Sequence, residues 1–153
     1  MPQYSERRTL PYTAHQMYTL VADVSRYPEF LPWCMGARIF KSSGDEFWAD
    51  LVIGFRMFRE KFTSRVRLFP EERIEVDYVK GPLKYLHNHW VFEDVGDGQC
   101  VVDFLVDFEF KNPLFEKLVG GLFTEAVHRM VFAFEARARE LYHPSADEAF
   151  DDA

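Results

Sequence analysis

From residue 35 to residue 110 the apolar side chains recur at every second position. That period restricts the segment to strands with one greasy face and one wet face. Phe47, Ala49, Leu51, Ile53 and Phe55 share one face, and Trp48, Asp50, Val52 and Gly54 take the other. Phe58, Phe62, Ser64, Val66 and Leu68 then alternate with Arg59, Lys61, Thr63, Arg65 and Arg67. Ile74, Val76 and Tyr78 alternate with Arg73, Glu75 and Asp77. Leu86, Asn88, Trp90 and Phe92 oppose His87, His89, Val91 and Glu93, and Cys100 to Phe110 is apolar at every even position. A shorter strand holds Ala37 and Ile39 before the turn signal Ser42-Ser43-Gly44-Asp45. Short connectors and strict alternation predict an antiparallel meander with one solvated face.

The flanks read differently. Tyr4 to Leu10 alternates weakly and predicts a short first strand. Thr13 is a suitable helix cap for Ala14 to Val24, where Met17, Leu20, Val21 and Val24 fall at helical spacing. Tyr27 to Cys34 carries two prolines among large apolar residues and reads as a short helical turn or an ordered loop. Asn112-Pro113 is a helix start, and Phe115, Leu118, Val119, Leu122, Ala126, Met130, Ala133 and Phe134 form one stripe up to Tyr142. About 30 residues at 1.5 Å each make roughly 45 Å of helix, enough to cross a whole sheet. The expected class is α+β: a curved antiparallel sheet of about seven strands, short helices after strand 1, and a long C-terminal helix over the apolar face. Residues 1–143 form one domain, and the acidic tail 144–153 is expected to be disordered.

Composition removes several function classes. The net charge is −7, from 18 basic and 25 acidic residues, which argues against a DNA or general nucleic-acid binder. No apolar run approaches the roughly 18 residues needed to span a bilayer, and Met1 to Arg8 shows no secretory signal. Cys34 and Cys100 fit neither a CxxC nor a zinc pattern, so a reducing cytoplasm is the expected setting. Sixteen Phe, seven Tyr and three Trp make 17% of the chain aromatic. That surplus either fills a core or lines a cavity for an apolar ligand.

Four ordered blocks carry a family resemblance over roughly residues 3 to 142. They are Asp23 to Cys34 (DVSRYPEFLPWC), Arg59 to Ser64 (REKFTS), Gly81 to Phe92 (GPLKYLHNHWVF) and Phe104 to Leu114 (FLVDFEFKNPL). Together they resemble the coenzyme Q-binding family within the START-like, or polyketide cyclase/dehydrase-like, superfamily. The resemblance implies a helix-grip fold with a hydrophobic tunnel. It also implies ubiquinone or a related polyprenyl quinone as bound ligand, with no required cofactor, in support of respiration and quinone synthesis. The same family includes a bacterial ribosome-associating toxin, so a ribosomal subunit is the alternative partner. Mitochondrial members carry a transit peptide that this sequence does not show. The expected place is therefore the cytoplasm, with peripheral contact at a bacterial inner membrane.

A polyprenyl quinone needs a long apolar channel and a few placed polar groups. The inward set expected to supply the channel is Phe47, Leu51, Ile53, Phe62, Val66 and Trp90, continued by Phe92, Phe104, Val106, Phe108, Leu122 and Met130. Glu60, Ser64 and Asn88 interrupt the inward phase, and a buried polar group needs a hydrogen-bond partner. Ser64 and Asn88 are candidates for the quinone oxygens. Glu60 is a candidate partner for Arg38, or a general base if the protein is a cyclase-like enzyme; no companion acid stands at a defined spacing.

Phe30, Leu31 and Trp33 form a candidate portal, with Phe55, Met57 and Phe58 as a second apolar loop, and Gly120-Gly121 a candidate hinge. His87 and His89 share a strand face, where Asp107 is a candidate neighbour, but no third ligand has recognisable spacing and no metal is expected. Arg59, Lys61, Arg65 and Arg67 make a basic stripe that suits ribosomal RNA or anionic lipid, or cross-strand pairing with Glu75 and Asp77. The leading expectation is a non-enzymatic quinone carrier or chaperone.

Overall fold

A computed structural model describes residues 3–55 and 58–142, without the side chains at 55, 58, 115 and 118–124. The side chains of Leu122, Phe55 and Phe58, the surroundings of the glycine pair at 120–121, and Met57 and the acidic tail altogether, therefore lie outside what is described. Strand β1 (Gln3–Leu10) is followed by helix α1 (Ala14–Ala22) and a 3-10 turn (Val24–Glu29). Six strands come next: β2 (Cys34–Ser43), β3 (Glu46–Phe55), β4 (Phe58–Phe69), β5 (Arg73–Lys80), β6 (Leu83–Gly96) and β7 (Gln99–Phe110). Helix α2 (Pro113–Leu141) closes the described chain.

The seven strands form one curved antiparallel sheet in the order β1-β7-β6-β5-β4-β3-β2. Every neighbour pair except β1 with β7 is a hairpin. Register keeps the apolar phase aligned: Val66 faces Val76, Val76 faces Asn88, and Asn88 faces Val106. This continuous row is why alternation survived across the meander. β2 is the exception. Bulges between Cys34 and Gly36 and between Ile39 and Lys41 shift its register, and Ile39 is exposed.

The helices begin where their caps dictate. The Thr13 side chain accepts from Gln16 N, and the Gln16 side chain accepts from Thr13 N, a reciprocal capping box. Asn112 Oδ1 accepts from Leu114 N at the start of α2. The Tyr27-Pro28 segment resolves as the 3-10 turn, with Leu31 N and Phe30 N bonded back to Tyr27 O.

The sequence left α2 as the only cover for the apolar face, but the structure divides that work. α1 buries Met17, Leu20 and Val21 against the sheet, and its Tyr18 meets Phe92 edge-on. α2 covers the remainder and is moored at its C-terminal half. Phe134, buried to 2% exposure, packs edge-on to Trp90 (4.9 Å), Phe30 (5.2 Å) and Tyr27 (5.3 Å). Polar moorings run alongside: Tyr4 Oη to His128 Nδ1 at 2.6 Å, Arg8 to Glu135 at 3.1 Å, and Arg137 to Glu29 at 2.6 Å. Among the described residues no polar or charged side chain is fully buried.

Deleting the ring at position 134 removes three aromatic contacts and leaves a void that rigid neighbours cannot fill. Phe134→Ala is expected to lower stability by about 3–5 kcal/mol in urea unfolding. A loss under about 1 kcal/mol would show that this cluster does not hold α2 to the sheet.

Candidate functional site

Beyond the Phe134 cluster α2 presents Ala126, Val127 and Met130 to the sheet. These side chains do not fill the space that larger rings hold open. A partly open cavity of about 260 Å³ results. An apolar void of roughly 150 Å³ already admits a benzene ring, so this one takes a ring with substituents.

The lining comes from six strands and the segment after the 3-10 turn. Leu51 and Ile53 enter from β3, Phe62 and Ser64 from β4, and Val76 and Tyr78 from β5. Leu86 and Asn88 enter from β6, Phe104, Val106 and Phe110 from β7, and Leu31, Trp33 and Cys34 close one side. A smaller chamber of about 90 Å³ adjoins it and includes Val66, Trp90, Val24, Tyr27 and Phe134. Leu51, Ser64, Val76 and Asn88 belong to both linings. The two interior polar side chains thus stand at the waist between the chambers.

Their hydrogen bonding is incomplete. Asn88 Nδ2 donates to the Leu105 carbonyl of the neighbouring strand at 2.7 Å. That bond fixes the amide and leaves one N–H and Oδ1 without a protein partner among the described residues. Ser64 Oγ also has no hydrogen bond among the described residues. An unpaired polar group facing a cavity favours a ligand or water that completes it. Tyr78 accepts from Leu83 N at 2.9 Å and keeps its own hydroxyl proton. Burial pushes the Tyr78 phenol above its ordinary value, so it remains protonated. Gly81 makes room for this hydroxyl: its φ is +152°, and a Cβ there would lie 2.6 Å from Tyr78 Oη and 3.0 Å from the Lys61 carbonyl.

Several expected site residues lie elsewhere. Glu60 is exposed at the start of β4 and does not enter the cavity. Alternation gives the phase of a strand residue but not its exposure, and Glu60 lies near the strand end opposite Ile53. Nor does it pair with Arg38, whose guanidinium lies 3.8 Å from Asp50. Phe47 and Phe92 are core residues outside the large cavity, Phe92 beneath Tyr18 of α1, and Phe108 is packed against Phe110. Phe30 packs edge-on to Tyr27 and Phe134 with Arg137 over its ring, so it braces the wall instead of lining it. Trp90 and Val66 face the small chamber, not the large one. Sequence reasoning passed over Val76, Tyr78, Leu86, Phe110, Val127 and Cys34. The first four shared the inward phase already recognised, and phase was the available signal.

The basic stripe is partly neutralised on the outer face. Arg65 reaches Glu46 at 2.7 Å, and Arg67 reaches Asp77 at 2.8 Å. Only the second pair was expected.

Both cysteines are buried, and both thiols are pushed up by desolvation, Cys100 to about 11 and Cys34 upward with partial relief from a hydrogen bond with the Gly36 backbone. A raised thiol value means less thiolate at a given pH. At pH 8 a thiol near 11 is ionised to about one part in a thousand. Cys100 is therefore expected to alkylate on the order of a hundredfold more slowly in the folded protein than in urea, recovering as pH approaches 11. Cys34 lines the cavity, so a small apolar maleimide is expected to label it ahead of Cys100. Peptide mass spectrometry reads both rates, and equal rates would remove access through the cavity.

Comparison with known proteins follows the same outline. Residues 10–135 match the family described as polyketide cyclase/dehydrase and lipid transport. The ribosome association toxin RatA of Escherichia coli is 40% identical over 142 residues, which span 93% of this chain and 90% of that protein. The mitochondrial coenzyme Q-binding protein COQ10 homolog B of Xenopus laevis is 34% identical over 144 residues, 92% of this chain and 59% of its own. A START superfamily protein from Mycobacterium smegmatis shares the fold, with a TM-score of 0.80 at 19% identity, covering 92% of this chain and 99% of that one.

Proposed function

Since this chain belongs to the polyketide cyclase/dehydrase and lipid transport family, we propose that it carries an isoprenoid quinone, ubiquinone or a close relative, beneath helix α2. In this role it serves respiratory electron transport and quinone biosynthesis as a carrier or chaperone. The observation that carries the reading is the apolar cavity with Ser64 and Asn88 at its waist. A quinone ring offers two acceptor oxygens and no donor. Ser64 Oγ–H and the second N–H of Asn88 are donors awaiting acceptors, on strands either side of β5, at about 10 Å across two strand spacings. Desolvation of the ring and the first isoprene units drives binding at about 25 cal/mol per Å². The remaining tail exceeds the cavity and runs out through its open side.

A binding role is supported by where the carboxylate lies. Glu60, the residue that a cyclase-like mechanism would recruit, faces solvent. Peripheral contact with a bacterial inner membrane is supported by Met35, Ile39 and Phe40, exposed on edge strand β2 beside the cavity wall.

The likeness to RatA favours a second reading, binding to a ribosomal subunit. The paired arginines of the outer face weaken that stripe as an RNA contact, since Arg65 and Arg67 already hold carboxylates.

Solvent extraction of protein purified from its own cells, followed by mass spectrometry, is expected to release a quinone. Val76→Trp fills the waist between the two chambers and is expected to abolish that ligand while leaving the unfolding midpoint unchanged or higher. Ligand retained in a folded Val76→Trp protein would sink the carrier reading. Co-sedimentation with a ribosomal subunit, undiminished by Val76→Trp and lost on reversing Arg65 and Arg67, would establish the second reading in its place.

A further inference from the structure

The geometry points to a transition-metal site on the outer face of the sheet, formed by Glu75, His87 and His89. Their ligand atoms all lie within 4.8 Å of one another. The two histidines are i and i+2 on β6, so both rings leave the same face, with centroids 6.0 Å apart. The third ligand comes from the strand on the other side from the one the sequence suggested. Asp107 does face His87 from β7, but it receives the Tyr85 hydroxyl at 3.1 Å. Glu75 on β5 is the direct register partner of His89.

The spacing suits one ion. His87 Nε2 lies 3.4 Å from Glu75 Oε1. Two ligands at 2.0–2.2 Å from a tetrahedral Zn²⁺ stand roughly 3.3–3.5 Å apart. His89 offers a ring nitrogen within 4.8 Å of both. The partner shell is already built. His87 Nδ1 lies 3.1 Å from Asp77 Oδ1, the carboxylate–histidine arrangement that fixes a metal-binding ring with Nε2 free. Arginines hold the other carboxylate oxygens: Arg73 Nε at 3.3 Å from Glu75 Oε2, and Arg67 at 2.8 Å from Asp77 Oδ2. Each acid is thereby oriented with one oxygen toward His87.

This donor set also selects the ion. Two imidazoles and one carboxylate suit Zn²⁺ and its neighbours, whereas Mg²⁺ and Ca²⁺ need oxygen ligands. The two guanidinium groups disfavour a hard cation held by charge alone. With three protein ligands, the fourth position faces solvent and takes a water or a donor from another molecule. The ion would join β5 to β6 at the middle of the sheet, opposite the cavity.

Zn²⁺ titration by calorimetry of untagged, chelator-stripped protein in excess Mg²⁺ is the test, with Co²⁺ absorption reporting tetrahedral geometry. One equivalent is expected to bind. His89→Ala and Glu75→Gln are each expected to weaken binding at least about tenfold. His15→Ala, which alters an exposed histidine on another element, is expected to leave binding unchanged. Nitrogen-15 shifts of the wild-type histidine rings give a readout that needs no variant: both the His87 and His89 rings should move on adding Zn²⁺. No saturable one-to-one binding, rings that do not move, or binding equally insensitive to both substitutions overturns the site.

Discussion

The separation between α2 and the sheet is set by aromatic rings at one end of their contact. Phe134 is wedged among Trp90, Phe30 and Tyr27, each about 5 Å away centroid to centroid. Aromatic edges and faces do not compress, and such pairs contribute about 0.5–1.5 kcal/mol each beyond the area they bury. The helix axis is therefore held off the sheet at a ring's height. Two turns earlier the helix carries Ala126 and Val127, which are too short to close that height. The void follows from the wedge, and the aromatic surplus of the chain serves as both core and scaffolding.

Most of the fold was legible because a one-sided sheet writes itself into sequence as alternation. The strands from Phe47 to Phe110, the Thr13 and Asn112 caps and the length of α2 all followed from local signals. The site was legible only by face. Alternation told that Ser64, Asn88, Leu51 and Val106 point inward, and they do. It could not tell which inward residues are covered by α1, because that depends on how a helix from the other end of the chain crosses the sheet. Phe92 was therefore indistinguishable from Val106. Glu60 failed for a related reason: alternation gives its phase but not its exposure. Conversely, Val76 and Leu86 share the inward phase and line the cavity, although phase alone does not separate a lining residue from a packed one.

The cavity and the outer face ask different things of the same strands. Along β5 the inward residues Val76 and Tyr78 meet a greasy chamber, while Glu75 and Asp77 hold a network of arginine and histidine. β6 repeats the division with Asn88 inside and His87 and His89 outside. A single pair of adjacent strands thus links an interior chemistry of weak hydrogen bonds to an exterior chemistry of charge. Family membership supports the interior as a place for lipid-like ligands. The likenesses to a coenzyme Q-binding protein and to a ribosome association toxin show that one scaffold bears both kinds of label.

The first strand of the chain pairs only with the last, from Gln3 opposite Asp107 to Leu10 opposite Cys100. The same strand supplies Tyr4 and Arg8 as anchors for α2. Nothing in the earlier hairpins can hold the amino end in place until β7 has been made, and long-range pairings of this kind are slow to form. Helix α2 therefore gains these two polar anchors only once β1 has paired with β7. The amino-terminal strand and helix α2 thus depend on one long-range pairing.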